Sequence, residues 1–344
     1  MNFSSDTAAP PHPAILDAML AAAKGPAPSY GADAWTAAAR AALRDVFETD
    51  LDVWLVSSGT AANALALATL CPPHGAILCH AEAHIERDER GAPEFFTGGG
   101  KLSLMGGAHA RIDLAELRAR LAVNRHDFVH ETPAHVLSLS NLTESGAAYR
   151  PFEIAERAAL AREAGLAVHL DGARLANALV STGGTPAEMT WRSGVDVLSF
   201  GATKNGGLGC EAIVLFGAAR QRIGDLMVRA KRAGHMPPKM RFLGAQMAAY
   251  LKDDLWLQLA RRANASATHL AQALTSAGAE LAHPTDGNEV FAFLPPGLDA
   301  RLKTAGVSFY PWIDGSHRFV CSWATEQSEI EAFSVLLSGP NAGN

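Results

Sequence analysis

The chain has 344 residues, 48% of them hydrophobic and 19% charged, with a formal net charge of -6. That length leaves room for two domains and a large core, which excludes a disulfide-stapled mini-protein, and the apolar share excludes a disordered chain. A net acidic sequence without a continuous basic stretch is not built for nucleic acid, and its longest apolar run, at 61–71, is interrupted by Asn63 and Thr69 and falls short of the roughly 20 residues of a membrane span.

The opening stretch MNFSSDTAAPPHPAIL lacks a basic segment followed by an apolar one, so no secretory leader is expected and the cytoplasm is the default location. Cys71, Cys79, Cys210 and Cys321 are scattered without a CxxC pair. They are expected as free thiols, and no metal site is expected.

A helix is predicted at 13–24 from the spacing of Ile15, Leu16, Met19 and Leu20, ending in the break GPAPSYG, and a second helix at 34–47. The apolar run 53–56 reads as a strand that passes through Ser57-Ser58-Gly59-Thr60 into a helix at 61–70. Strands are then predicted at 76–79, 135–139, 167–170, 195–200 and 212–216, with helices at 114–121, 151–164 and 174–179. This alternation implies an α/β fold with a mostly parallel sheet and helices on both faces, whose ligands sit at the carboxyl ends of the strands. Long helices at 221–233 and 241–275 and short strands at 289–293, 306–309 and 318–322 follow, the pattern of a smaller C-terminal α+β domain. The predicted division is an N-terminal arm at 1–30, a large domain at 31–235 and a small domain at 236–344.

Three segments fall where such a sheet places a ligand. In SSGTAAN at 57–63, small residues at a helix start expose backbone N–H groups, and the Ser58 and Thr60 hydroxyls add donors; this suits a phosphate, or is an ordinary helix cap. In HLDGAR at 169–174, an apolar strand delivers Asp171 to its carboxyl end, where a carboxylate requires Arg174, a metal or a protonated ring nitrogen as partner, unless it simply caps the next helix. In DVLSFGATKNGGLG at 196–209, Lys204 follows another strand in a turn crowded with glycine, which suits an amine that attacks a carbonyl but also a solvated surface lysine. Together they supply an anion cradle, an acid partner for a pyridinium nitrogen and a nucleophilic amine, the set that pyridoxal phosphate requires.

The segments Phe3-Ser4-Ser5-Asp6, Pro28-Ser29-Tyr30-Gly31, Ser58 to Asn63, Ala83-His84, His169 to Leu175, Ser199 to Gly206 and Lys239 to Leu243 resemble the low-specificity L-threonine aldolases, fold-type I pyridoxal phosphate enzymes of the aromatic amino acid β-eliminating lyase/threonine aldolase group. The resemblance implies a fold-type I architecture and pyridoxal 5'-phosphate bound through Lys204, with Asp171 at its ring nitrogen and Ser58, Gly59 and Thr60 at its phosphate. His84 would lie against the ring, and Arg174 and Arg241 would be further cofactor contacts. Ser5, Arg174 and Arg318 would grip the substrate α-carboxylate, the arginines through paired hydrogen bonds. His84, or His130 in second place, would take the β-hydroxyl proton, and Tyr30 would close its own site or a neighbour's.

The implied activity is retro-aldol cleavage of L-threonine, L-allo-threonine and small-molecule relatives such as phenylserine to glycine and an aldehyde, in a homodimer or homotetramer. Another pyridoxal phosphate reaction (β-elimination, transamination or hydroxymethyl transfer) or a catalytically silent binding protein are the alternatives. Two departures bear on the substrate side chain: the charged IERDERGAPE after His84, and Asn141-Leu142-Thr143-Glu144 in place of a Glu-Asn-Thr-His form.

Overall fold

The computed structural model of the chain describes residues 1–338. Its larger sheet comprises β1 (Leu51–Val56), β2 (Ala76–His80), β3 (Lys101–Met105), β4 (Ala134–Ser140), β5 (Ala167–Gly172), β6 (Val197–Gly201) and β7 (Glu211–Phe216), in the order β1-β7-β6-β5-β4-β2-β3. β7 runs antiparallel to both of its neighbours, and the remaining pairs are parallel. β2, β6 and β7 are buried at every position. Consecutive buried residues point to opposite faces, so both faces of the sheet are covered, as parallel strands require.

The helix Gly59–Leu70 is buried from Ala61 through Leu70. Its sequence is apolar or small on every side, which suits a helix enclosed by protein rather than one with a wet face. It starts at Ser58, whose Oγ accepts a hydrogen bond from the Ala61 N–H at 3.3 Å. The strand expected at 53–56 therefore delivers a capped helix start, as read from the sequence.

A second sheet, in the order β10-β11-β9-β8, is antiparallel throughout and consists of β8 (Glu280–Leu281), β9 (Glu289–Phe293), β10 (Tyr310–Pro311) and β11 (His317–Val320). It packs with the helix Leu255–Ser276 and the helix Gln327–Ser338 around a separate core. That core begins at Ala267 in the helical segment, whereas Met240, Tyr250, Trp256 and Ala260 belong to the first core. The two cores thus meet inside one long helix. The N-terminal arm is also built into them: Phe3 is 1% exposed in the second core, and its N–H donates to Ser308 O at 2.8 Å.

Other expectations shift. The predicted helix at 241–275 is two helices, Arg241–Leu251 and Leu255–Ser276, because Asp253 and Asp254 take left-handed φ values of 52° and 56° between them. The strand expected at 306–309 lies later, at Tyr310–Pro311, while Ser308 bridges to Asn2. β3 was not anticipated, nor were the helices Leu298–Thr304 and Gln327–Ser338.

Candidate active site

A cavity of about 470 Å³ opens at the carboxyl ends of β5 and β6 and at the start of the helix Gly59–Leu70. Ser58, Gly59, Thr60, His84, Asp171 and Lys204 all line it, as do Ser5, Arg174 and Arg318. Segments far apart in the chain meet there because parallel strands end on one edge of the sheet and the second sheet closes over that edge.

Asp171 is the penultimate residue of β5, which crosses against β6 so closely that a Cβ on Gly172 would come within 2.7 Å of Leu198 Cδ1 and 3.1 Å of Ser199 O. The Asp171 Oδ1 accepts from the Ala173 N–H at 3.0 Å and Oδ2 from Asn63 Nδ2 at 2.7 Å. Burial alone would raise its pKa, but the nearby His84, the Ala173 N–H and the Lys204 charge hold it below the ordinary carboxylate range. An ionised, buried carboxylate of this kind is suited to keeping a proton on a ring nitrogen.

His84 opens the short helix His84–Arg87, and its Nδ1 is 2.8 Å from Glu89 Oε1. The same Asn63 amide nitrogen donates to Glu89 Oε1 at 2.8 Å, so His84, Glu89, Asn63 and Asp171 form one continuous hydrogen-bonded chain. Burial would depress the His84 pKa, but the hydrogen bond to Glu89 and the Asp171 charge raise it. Behind it, the His84 N–H donates to Glu144 Oε1 at 3.0 Å, and burial together with the Asp171 charge pushes Glu144 up to about 7.

Lys204 sits in the helical turn Thr203–Asn205 directly after β6. Asn205 pins that turn by donating to the Tyr250 hydroxyl at 2.9 Å and to Trp256 O at 2.8 Å. The small residues are required by close backbone contacts: a Cβ on Gly201 would lie 2.6 Å from Ala173 O, and one on Gly207 would lie 2.8 Å from Ala202 O. Among the described residues Lys204 takes part in no salt bridge, although Glu211 lines the same cavity and hydrogen-bonds the Thr203 hydroxyl and the Ala202 N–H.

At the other side of the cavity Arg174 is held by Asp6, with Nε donating to Oδ2 at 2.7 Å and Nη2 to Oδ1 at 3.2 Å. Arg318, on β11, lies over the rings of Trp312 and Tyr310 at 5.0 and 5.8 Å. Ser5 Oγ is 2.8 Å from Thr7 Oγ1.

Three expected site residues do not reach this cavity within the chain. His130 is exposed in the segment before β4, against Phe128, and is replaced as a neighbour of His84 by Glu89 and Glu144. Tyr30 is 47% exposed, its ring 5.0 Å from Lys231 Nζ, and Arg241 stacks on Phe242 at 5.3 Å. Conversely, the sequence assigns no individual role in the site to Asp6, Glu89, Glu144, Glu211 or Glu289. Glu89 stands five residues after His84 in the charged run noted above, and Glu144 ends the departure at 141–144; for the other three, only the fold shows their proximity.

The donor set fits pyridoxal phosphate: backbone N–H groups and two hydroxyls at a helix start, a buried ionised carboxylate, and an amine that forms no salt bridge among the described residues all open on one cavity. The model of the family described as beta-eliminating lyase matches residues 2–295. The chain belongs to the beta-eliminating lyase family. Among its relatives in that family, the low specificity L-threonine aldolase of a Pseudomonas sp. is 42% identical over 340 residues, covering 97% of this chain and 96% of the relative. That of Pseudomonas aeruginosa is 42% identical over 330 residues, covering 95% and 94%. The solved structure of Leishmania major threonine aldolase superposes with a TM-score of 0.90 at 31% identity, covering 98% of each chain. The family fold is accordingly the fold-type I architecture anticipated above, with its mostly parallel seven-stranded sheet and smaller antiparallel sheet.

Proposed function

We propose that this chain is a pyridoxal phosphate-dependent aldolase that cleaves L-threonine, L-allo-threonine and related β-hydroxy-α-amino acids such as phenylserine to glycine and an aldehyde. The observation that carries the reading is the convergence of Lys204, Asp171, His84 and the Ser58–Thr60 helix start on a cavity that also presents Arg174 and Arg318. The relatives named as low specificity L-threonine aldolases, alike over nearly their whole length, support the same reaction.

When bound, the cofactor supplies a conjugated, positively charged ring that accepts the electron pair released from the Cα–Cβ bond. Lys204 would provide its covalent attachment, and the Ser58, Gly59 and Thr60 groups would hold its phosphate. Asp171, kept ionised by its hydrogen bonds, would retain the proton on the ring nitrogen. Arg174, Arg318 and Ser5 would bind the substrate carboxylate and so select which Cα bond is presented for cleavage. His84, its imidazole tied to Glu89, would take the proton of the β-hydroxyl.

Purified holoenzyme given L-threonine should release acetaldehyde and glycine in equal amounts, and Lys204→Ala should abolish this together with the cofactor's bound-state absorbance. Formation of a keto acid and ammonia instead would assign β-elimination. Reduction with borohydride should attach the cofactor mass to the peptide carrying residue 204, and label on a different lysine would overturn the assignment.

The proposal extends to a homodimer or homotetramer. Exposed apolar side chains such as Phe95, Val228 and Leu104 supply surface for association, and Tyr30 and Arg241, outside the cavity of their own chain, would then serve a neighbour's site. A cytoplasmic location is part of the same reading and is supported by four unpaired, buried cysteines.

A further inference from the structure

Glu289 opens β9 and lines the cavity, yet it is 1% exposed and neither carboxylate oxygen has a hydrogen-bond partner among the described residues. What it meets are charges. Its Oε2 is 3.1 Å from Arg174 Nη1, and its Oε1 is 4.0 Å from Arg318 Nη1. These are the two guanidinium groups assigned above to the substrate carboxylate. Without substrate, Glu289 and Asp6 together balance Arg174 and Arg318. An entering carboxylate is a third anion against two cations, in a pocket where burial amplifies each charge.

We propose that Glu289 is the proton-coupled counter-ion of the carboxylate site, taking one proton from solvent onto its side-chain oxygen when a substrate carboxylate enters between Arg174 and Arg318. The proposal rests on the reading of those arginines as the carboxylate site.

Of the two carboxylates paired with these guanidinium groups, Glu289 is the one placed to yield. Asp6 accepts hydrogen bonds from Arg174 Nε, Arg174 Nη2 and Asn288 Nδ2, and these partners hold it ionised despite its burial. Glu289 has no such bonds. Burial raises its pKa most strongly, Asp6 adds to that, and Arg174, Arg318 and Lys204 oppose it. Glu144, which also faces Arg174, draws on the same positive charge. A ligand carboxylate adds another negative neighbour and moves Glu289 further up. Between its free and its bound pKa, binding therefore takes up a proton, and affinity falls as pH rises.

The test uses holoenzyme and β-hydroxybutyrate, a carboxylate with the β-hydroxyl of threonine but no amine, so that chemistry at Lys204 does not contribute. Titration calorimetry in two buffers of different ionisation heat measures the protons exchanged. For the wild type, uptake approaching one proton is expected in the pH range where the affinity declines, with a tenfold loss in affinity per pH unit as its limit. Glu289→Gln should bind several-fold more tightly in that range, with no uptake and a flat pH profile. Glu289→Met, of similar length and uncharged, supplies a second variant should the first fold poorly. Binding by the wild type without proton uptake, or unchanged uptake in both variants, would overturn the role of Glu289 and leave the arginine pair intact. No binding by the wild type would overturn the carboxylate site itself, and this proposal with it.

Discussion

Glu211 is 6% exposed and accepts hydrogen bonds from the Thr203 hydroxyl and the Ala202 N–H, at the start of the turn that carries Lys204. Burial pushes its pKa from 4.5 up to about 7, against the pull of Thr203 and Lys204. The fold thus favours its protonated form more than the unfolded chain does. The stability linked to this group is complete below the unfolded value and is lost as pH rises through about 7. Thermal midpoints measured across that range should fall less in Glu211→Gln than in the wild type, since the amide cannot ionise. Parallel curves would show that Glu211 titrates no differently in the folded chain. Asn63 illustrates the same scale without titrating: one amide nitrogen donates to both Asp171 and Glu89 and couples the two halves of the site. Its position in SGTAAN was legible from sequence, but its role was not, because a hydrogen bond to residue 171 depends on how the helix Gly59–Leu70 lies over β5.

The ends of β5 and β6 hold Asp171 and Lys204 at fixed separation because glycines let the two strand ends touch. Gly201→Ala puts a methyl group 2.6 Å from Ala173 O and 2.8 Å from Ala173 Cα, contacts that only backbone movement can relieve. A loss of about 1–3 kcal/mol in stability is expected, the usual cost of overpacking, together with weaker cofactor retention, as measured by chemical denaturation and by absorbance after dialysis. Wild-type values in both would show that the strand ends have slack. This element was readable in advance because strand, glycine and lysine are contiguous in SFGATKNG, and the same contiguity made HLDGAR and SSGTAAN readable. The charged residues around them were not. Asp6 lies 168 positions from Arg174, and Glu289 comes from the second sheet, so no local pattern joins them. The predicted helix at 241–275 failed for a related reason: a break carried by Asp253 and Asp254, with no glycine or proline to announce it, leaves the apolar periodicity on both sides intact.

At the scale of the whole molecule, the first residues of the chain connect the second core to the cavity. Phe3 packs against Phe333 and Phe319 at ring-centroid distances of 5.4 and 6.5 Å, and its backbone is fixed on both sides, donating to Ser308 O and accepting from the Val320 N–H, each at 2.8 Å. Ser5 and Asp6 follow two and three residues later, one lining the cavity and the other gripping Arg174. The aromatic anchor therefore sets the position of groups it does not touch. Phe3→Ala should cost about 3–5 kcal/mol, the usual range for emptying a buried aromatic site. Because the cavity it leaves frees the segment that orients Arg174, substrate binding should suffer more than turnover at saturation. Steady-state kinetics should show a larger rise in KM than fall in kcat, and Phe3→Leu, which refills most of the volume, should restore much of the KM. If instead kcat fell alone, with KM unchanged, the N-terminal segment would have to act on the bond-breaking step rather than on the carboxylate site, and the route from the second core through Asp6 to Arg174 would be wrong.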